Sequence, residues 1–278
     1  MKIKELRIRI TEYLRECNCT DAEADAAVLI MSLLGIDKTA LVIGDLEVSA
    51  ENAEIAYSWA KRLSDGEPVR YITGECEFMS LPFYVKKGVL IPRCDTETLV
   101  DEAMHRLPTD REISVLDIGC GSGCISISLA YYMKNAYVTG IDISDIAIEL
   151  SQKNAERHGV SNRAHFEKCD IMTEVPFGKY DCIVSNPPYI KTADILKLDK
   201  KIRDFEPISA LDGGNDGLDF YKKIISLPCL KRSGLILLEA GFDTTSEVKA
   251  LLSGSGYIDT GIIRDTGNVE RVAYGTLA

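Results

Sequence analysis

Along residues 1–70 the apolar positions recur every three to four residues. That is the rhythm of helices with one buried face. Residues 4–17 carry Leu6, Ile8, Ile10, Tyr13 and Leu14 among charges. A second helix is predicted with Thr20 as its cap and Glu23 three residues on. It continues through Ala26, Ala27, Leu29, Ile30 and Leu33 to a stop at Gly35. A third starts behind Ser49, carries Ile55, Ala56, Trp59, Ala60 and Leu63, and ends near Gly66. These predict a small all-helical domain over residues 1–70, with no cluster of chemically active side chains. Substrate recognition is the role expected of it, beside a purely structural one.

From 67 to 92 the rhythm changes. Val69, Tyr71, Phe78, Leu81, Phe83, Val85, Val89, Leu90 and Ile91 alternate with glycines and polar residues. A linking β-hairpin is predicted over residues 71–92. Residues 93–278 then form the third section. It opens on a helix through Leu99, Val100 and Ala103, with Asp95 or Thr96 as cap. From about 112, short β-branched runs alternate with helical stretches. Strands are predicted at 113–118, 136–141, 164–168, 180–185 and 234–239, and helices at 125–133, 144–158, 218–227 and 245–252. Such alternation predicts an α/β fold with a mostly parallel sheet covered on both faces. Two last strands, 257–264 and 271–274, would add an antiparallel edge.

Composition narrows the class. At 46% hydrophobic and 27% charged residues the chain reads as a soluble globular protein. No apolar run is long enough for a bilayer, and residues 1–5 lack a signal-peptide core. The nine cysteines show no zinc-ligand spacing, so no metal is expected and free thiols in a reducing cytoplasm are. The net charge of -11 argues against stable binding to nucleic acid, which needs clustered Lys and Arg. A monomer is expected.

The chemistry concentrates at two strand ends. Asn186-Pro187-Pro188-Tyr189 follows the buried run 180–185. Two prolines make this turn rigid and hold Asn186 away from helix. The Asn186 side-chain oxygen and the Pro187 carbonyl are then two fixed acceptors, suited to gripping a planar NH2 group, with Pro188 and the Tyr189 ring beside them. Asn186, Pro187 and Tyr189 are the candidate catalytic residues. Asn186 through Tyr189, with Glu206 further on, are the candidate substrate contacts. The second strand end is Asp117-Ile118-Gly119-Cys120-Gly121-Ser122-Gly123, a glycine-rich turn into a helix that lets a ligand approach the backbone. Asp142 ends the next strand, where an acid can accept both ribose hydroxyls. Asp170 ends the one after and can receive an adenine amino group. Gly119, Gly121, Gly123, Asp142 and Asp170, with Asp117 and Asn186, form the candidate site for an adenosine-containing cofactor. Asp117 suits an ammonium, which S-adenosylmethionine has and NAD lacks. The glycine spacing also departs from the dinucleotide fingerprint G-x-G-x-x-G. In a doubly wound sheet the first and fourth strands are neighbours, and ligands bind beyond their carboxyl ends. The two motifs are therefore expected to share one site.

With these residues in view the chain resembles the PrmC/HemK family, protein-(glutamine-N5) methyltransferases that modify peptide chain release factors. The likeness spans nearly the whole chain. It is carried by Leu90-Ile91-Pro92-Arg93, Asp95-Thr96-Glu97, the glycine turn, Asn186-Pro187-Pro188-Tyr189, Glu206-Pro207, Ala210-Leu211 and Gly213-Gly214-Asn215-Asp216-Gly217-Leu218. Cys94 stands where the family usually has proline. The resemblance implies a Rossmann-like class I methyltransferase domain using S-adenosylmethionine. It also implies the Gly-Gly-Gln loop of a release factor as substrate. Two rivals share parts of the pattern. An adenine-N6 DNA methyltransferase has the same Asn-Pro-Pro-Tyr turn but needs a basic cleft. A nicotinamide-dependent dehydrogenase shares the strand and glycine turn but not the spacing.

Overall fold

The computed structural model describes all 278 residues, which divide into two units. The first comprises Met1–Glu75 together with the later segment Asp199–Phe205. Its helices are α1 (Ile3–Glu16), α2 (Ala22–Leu34), α3 (Lys38–Ile43), α4 (Ala50–Ser64) and α5 (Val69–Thr73). Leu6, Ile10 and Leu14 of α1 meet Leu29 and Ile30 of α2 and Ala60 and Leu63 of α4 in one apolar core. Ile8, on the other side of α1, faces solvent. The end of α2 at Gly35 is left-handed at φ +61°, the stop that the sequence announces. Its start differs. Asp21, not Thr20, holds the cap position, and no side chain closes it. Ser49 does cap α4, accepting from the Asn52 N–H at 3.1 Å.

Three helices of this unit, α3, α5 and a one-turn helix in the later segment, have no counterpart in the sequence pattern. Helix α3 is six residues long, held at one end by Asp37, which accepts from the Ala40 N–H at 2.7 Å, and stopped by Gly44 at φ +67°. Helix α5 takes Val69 and Tyr71, which the alternation had assigned to a strand. Pro68 presets the entry and Gly74, at φ +75°, ends it after little more than one turn. Too few residues lie between these stops for helical periodicity to register. The segment Asp199–Phe205 contributes the one-turn helix α9 (Lys200–Arg203), and the Lys201 charge acts on Asp25 against the burial that raises its pKa.

The second unit comprises Cys76–Leu198 and Glu206–Ala278. A hairpin of β1 (Glu75–Phe78) and β2 (Leu81–Tyr84) leads into it. The strands are shorter than predicted. Val89–Ile91 lie past Gly88, whose φ of +95° turns the chain out of the ladder. Then follow α6 (Glu97–Arg106), β3 (Ile113–Ile118), α7 (Cys124–Tyr132), β4 (Ala136–Asp142), α8 (Asp145–Arg157), β5 (Ala164–Lys168) and β6 (Tyr180–Ser185). The chain closes with α10 (Asp219–Ser226), β7 (Leu230–Glu239), α11 (Thr245–Gly254), β8 (Tyr257–Arg264) and β9 (Glu270–Leu277). The seven-stranded sheet runs β5-β4-β3-β6-β7-β9-β8. All neighbours are parallel except the β7–β9 and β8–β9 pairs. Strand β7 starts four residues before the predicted residue 234, because the polar Lys231, Arg232 and Ser233 hide its beginning in the pattern. The sheet is apolar on both faces of its central strands: Leu116, Ile183, Ile236 and Leu238 are buried against Tyr221, Ile224 and Val248 on one, and Val115, Val184 and Leu237 are buried on the other.

The consequence for function is the order at the centre. Strand β3 has β4 on one side and β6 on the other, with Ile118 level with Ser185. The chain leaves β3 into the glycine turn and leaves β6 into the Asn-Pro-Pro-Tyr turn at the same height.

Candidate active site

The glycine turn is made by backbone geometry that only glycine takes easily. Gly119, Gly121 and Gly123 all have positive φ, +74°, +55° and +80°. The N–H groups of Gly119 and Cys120 both donate to the Ile141 carbonyl, at 2.8 and 3.0 Å, which ties the turn to the end of β4. Asp142 ties it further. Its Oδ2 accepts from the Gly121 N–H at 3.0 Å and its Oδ1 from the Ser144 N–H at 2.9 Å. Burial raises the Asp142 pKa, opposed by these backbone donors. Each carboxylate oxygen has two lone pairs, so both retain capacity for a ligand donor.

Asp117 is fully buried. Its Oδ2 accepts from the Ser126 hydroxyl at 2.6 Å and the Ser126 N–H at 3.2 Å, while its Oδ1 has no partner. Burial pushes its pKa up to about 7, against the Ser126 hydrogen bonds. A buried carboxylate oxygen without a donor is costly, and the cost falls on the charged form. Asp170 accepts from the Met172 N–H at 2.9 Å through Oδ1.

The other strand end is anchored from below and from the side. The Ser185 hydroxyl donates to the Ile118 carbonyl at 2.6 Å, joining β6 to β3 at their tips. Past Tyr189, the Ile190 N–H donates to the Leu211 carbonyl and the Gly213 N–H to the Ile190 carbonyl, at 2.9 and 2.8 Å. The Gly213 backbone lies so close to the turn that a Cβ there would sit 2.7 Å from the Tyr189 Cα and 2.8 Å from the Pro188 carbonyl. The glycine-rich segment after Ala210-Leu211 is thus a brace for the Asn-Pro-Pro-Tyr turn.

Both strand ends open into one cavity of about 420 Å³. Gly119, Gly121, Asp142 and Asp170 line it on one side, and Asn186, Pro187 and Pro188 on the other. Four candidates do not line it. Gly123 is buried at the start of α7, where a Cβ would come within 2.9 Å of Ile127 and Ser151. Asp117 lies behind the wall. Tyr189 is half-buried and packs against the core of the sheet, with burial pushing its phenol up to about 12. Glu206 is buried and accepts from Arg93 at 2.5 Å, with Oε2 unpartnered, while its neighbour Pro207 reaches the cavity.

Sequence reasoning missed the residues that hold Asn186 from behind. Its Nδ2 donates to the Thr96 hydroxyl at 3.1 Å. Glu239 ends β7 level with Asn186, since Ser185 pairs with Leu238. It is buried, Oε2 has no partner, and burial pushes it up to about 7, with Thr96, the Arg271 charge and Asn186 acting against the shift. The available signal was an acid closing the apolar run Leu235–Leu238. The whole segment 93–97 proves to be a set of ties. Arg93 pairs with Glu206, Asp95 with Arg271 at 2.8 Å, Thr96 accepts from Asn186, and Glu97 accepts from the Met79 N–H at 2.6 Å. Thr96 stands at the cap position of α6, as predicted, but its side chain caps no helix N–H and is turned to Asn186 instead.

Comparison with known proteins bears on this geometry. A family model described as the PrmC N-terminal domain matches residues 5–74, and one described as the methyltransferase small domain matches residues 96–202. The chain is 38% identical to the release factor glutamine methyltransferase of Geobacter sulfurreducens, over 95% of this chain and 93% of that one. It is 37% identical to that of Clostridium acetobutylicum, over 98% and 97%. Among solved structures, a methyltransferase from Pyrococcus furiosus superposes with a TM-score of 0.53 at 17% identity, covering 71% of this chain and 89% of that one. A methyltransferase complexed with SAH superposes with a TM-score of 0.52 at 16% identity, covering 73% and 56%. At such identity these two share the fold.

Proposed function

The chain belongs to the release factor glutamine methyltransferase family, and we infer that it methylates the side-chain nitrogen (N5) of the glutamine in the Gly-Gly-Gln motif of a peptide chain release factor. It is a methyltransferase that uses S-adenosylmethionine. The observation that carries the reading is the single cavity shared by Gly119, Gly121, Asp142, Asn186 and Pro187.

S-adenosylmethionine, when bound, supplies an electrophilic methyl group. In this reading Asp142 accepts from the ribose hydroxyls and Asp170 from the adenine amino group, while the buried carboxylate of Asp117, which does not line the cavity, attracts the ammonium from behind its wall. The Gly119–Gly121 backbone lets the ligand come close. The open lone pairs of Asp142, on the cavity wall beside the Gly119–Gly121 backbone, fit such a molecule.

The amide nitrogen of glutamine is a poor nucleophile, because its lone pair is conjugated with the carbonyl. The barrier to peptide-bond rotation, ~18–20 kcal/mol, measures that conjugation. Asn186 Oδ1 and the Pro187 carbonyl each accept one N–H of the target amide. This fixes the nitrogen and favours a pyramidal geometry in which the lone pair is freed. Tyr189 follows on the same rigid turn but packs against the sheet core, so its part in this reading is to hold the turn in place and not to touch the amide. The contribution is orientation and electrostatics. None of the three histidines lines the cavity, which supports loss of the proton to water. Glu206, held by Arg93, shapes the loop at which the substrate enters.

No helix is long and apolar enough to cross a membrane. The finer reading is a monomer in the cytoplasm that docks the release factor through its helical unit and makes no stable complex with nucleic acid, for which a net charge of -11 is unsuited. The experiment is incubation of a release factor with the protein and S-adenosylmethionine, followed by peptide mass spectrometry. One methyl on the Gly-Gly-Gln glutamine is expected. An unmodified glutamine, or methyl transfer to DNA instead, overturns the reading.

A further inference from the structure

We propose that Glu239 is a positioning residue: as a carboxylate it dictates, through Thr96, which end of the Asn186 amide faces the cavity. This rests on the amide-gripping role given to Asn186 above. The oxygen and nitrogen ends of an asparagine amide have nearly the same size, so packing alone does not choose between them. The choice matters here. With Oδ1 toward the cavity, Asn186 accepts an N–H from the target amide. With the NH2 toward the cavity, donor meets donor and the grip is lost.

The neighbours make the choice by hydrogen-bond polarity. Asn186 Nδ2 donates to Thr96 Oγ1 at 3.1 Å. Thr96 is 3% exposed, so its own proton must go to a protein acceptor. The acidic side chain beside it is Glu239, also 3% exposed, ending the neighbouring strand level with Asn186. An ionised carboxylate only accepts. The chain of donors then runs in one sense, from the Asn186 N–H to the Thr96 oxygen and from the Thr96 O–H to Glu239, and Oδ1 of Asn186 is left for the substrate. A protonated Glu239 can donate to Thr96 instead. Thr96 can then donate to Asn186 Oδ1, and the NH2 turns to the cavity.

The surroundings put this switch within reach of ordinary pH. Burial pushes the Glu239 carboxyl up to about 7. From β9 the Arg271 guanidinium favours the charged form, while itself pairing with Asp95 at 2.8 Å and Asp265 at 2.9 Å. From the turn before α6, Asp95 opposes it. The two phenols that sense Glu239, Tyr189 beyond β6 and Tyr221 on α10, are pushed up by burial and stay neutral. Glu239 Oε2 has no hydrogen-bond partner, so a proton can settle there without displacing one.

The test measures kcat and KM for a release factor from roughly pH 5.5 to 9. The variants are Glu239→Gln, Thr96→Val, Thr96→Ser and Asn186→Ala, with S-adenosylmethionine affinity measured on each by calorimetry. In the wild type, kcat should fall about tenfold per pH unit on the acid side, as for one required carboxylate. Glu239→Gln should lose that acid limb and sit at least roughly tenfold lower at high pH, because its amide donates as readily as it accepts. Its cofactor affinity and KM should stay near those of the wild type. Thr96→Val should behave like Glu239→Gln, and Thr96→Ser should restore the wild-type profile. If Glu239→Gln and Thr96→Val keep both kcat and the acid limb while Asn186→Ala abolishes turnover, the inference fails and the role of Asn186 stands. If Asn186→Ala turns over normally with cofactor bound, the amide-gripping reading fails and this inference with it. Should Glu239→Gln not fold, the valine and serine variants at Thr96 decide on the same terms.

Discussion

The two ends of the central strands treat their carboxylates in opposite ways. At the amino end, Asp181 on β6 accepts from the Ser114 N–H and hydroxyl, each at 2.9 Å, from Lys231 at 2.9 Å and from Arg111 at 3.0 Å. Burial works against the charge there, but these donors hold its pKa well below the usual carboxylate range. At the carboxyl end, Asp117 on β3 and Glu239 on β7 each leave one buried oxygen without a donor, and burial pushes both up to about 7. The strands, spacing and sheet are the same. The amino end is finished and stabilises the fold. The carboxyl end is left incomplete, as is common where a site is built, and its buried carboxylates stay ready to take a proton.

The largest effect that could break this contrast comes from Asn186→Ala. Loss of one preorganised acceptor should lower kcat roughly 10²–10³-fold, the scale for removing a group aimed at a transition state. Cofactor affinity should change little. Asp142→Ala probes the same end through binding. Losing hydrogen bonds to a charged group costs about 1.5–3 kcal/mol, so calorimetry should show S-adenosylmethionine affinity weakened by about 10- to 100-fold. The finished end should answer oppositely. Asp181→Ala should cost about 1–3 kcal/mol in urea unfolding by orphaning the Ser114 N–H, yet the folded variant should methylate at the wild-type rate. Because the Asp181 pKa is depressed, its contribution is in place at neutral pH and lost as pH falls below about 4.

A further effect, read in stability alone, sharpens the contrast most. Asp117 titrates near 3.9 in an unfolded chain and at about 7 in the folded one. Between those values the folded state carries a proton that the unfolded state lacks, so stability falls as pH rises through the window. Asp117→Asn removes that fall. In the ligand-free protein its melting temperature should exceed the wild type's by a few degrees near pH 8 and match it near pH 4. No difference at the higher pH would mean that the buried carboxyl is not the liability described.

Which parts of this were readable beforehand follows from the range of the forces. Strand–glycine turn–helix and strand–Asn-Pro-Pro-Tyr are local patterns, and the parallel alternation implies which strand ends are neighbours. Hence Gly119, Gly121, Asp142, Asp170, Asn186 and Pro187 could be named, and they do line one cavity. The hairpin turn shows the opposite case. Met79 and Ser80 both take left-handed φ, +50° and +57°, although neither residue favours it. The turn is held by Glu97, which accepts the Met79 N–H, and by Tyr132, whose hydroxyl donates to the Met79 carbonyl, both at 2.6 Å. Residues 18 and 53 positions away impose that conformation, and no local window contains them.

By itself the sequence determined the order of the sheet's strands and of the longer helices, the two turns, and the acids Asp117, Asp142 and Asp170 at or just past strand ends. Each depends on backbone preference or hydrophobic period within a few residues. Only the tertiary structure decided that Thr96 and Glu239 stand behind Asn186, that Gly213 braces its turn, and that Asp117 keeps an oxygen without a donor. Those facts depend on burial and on hydrogen-bond pairing between groups brought together from distant parts of the chain. Pairing of that kind is settled in space, where the low dielectric makes each missing partner costly.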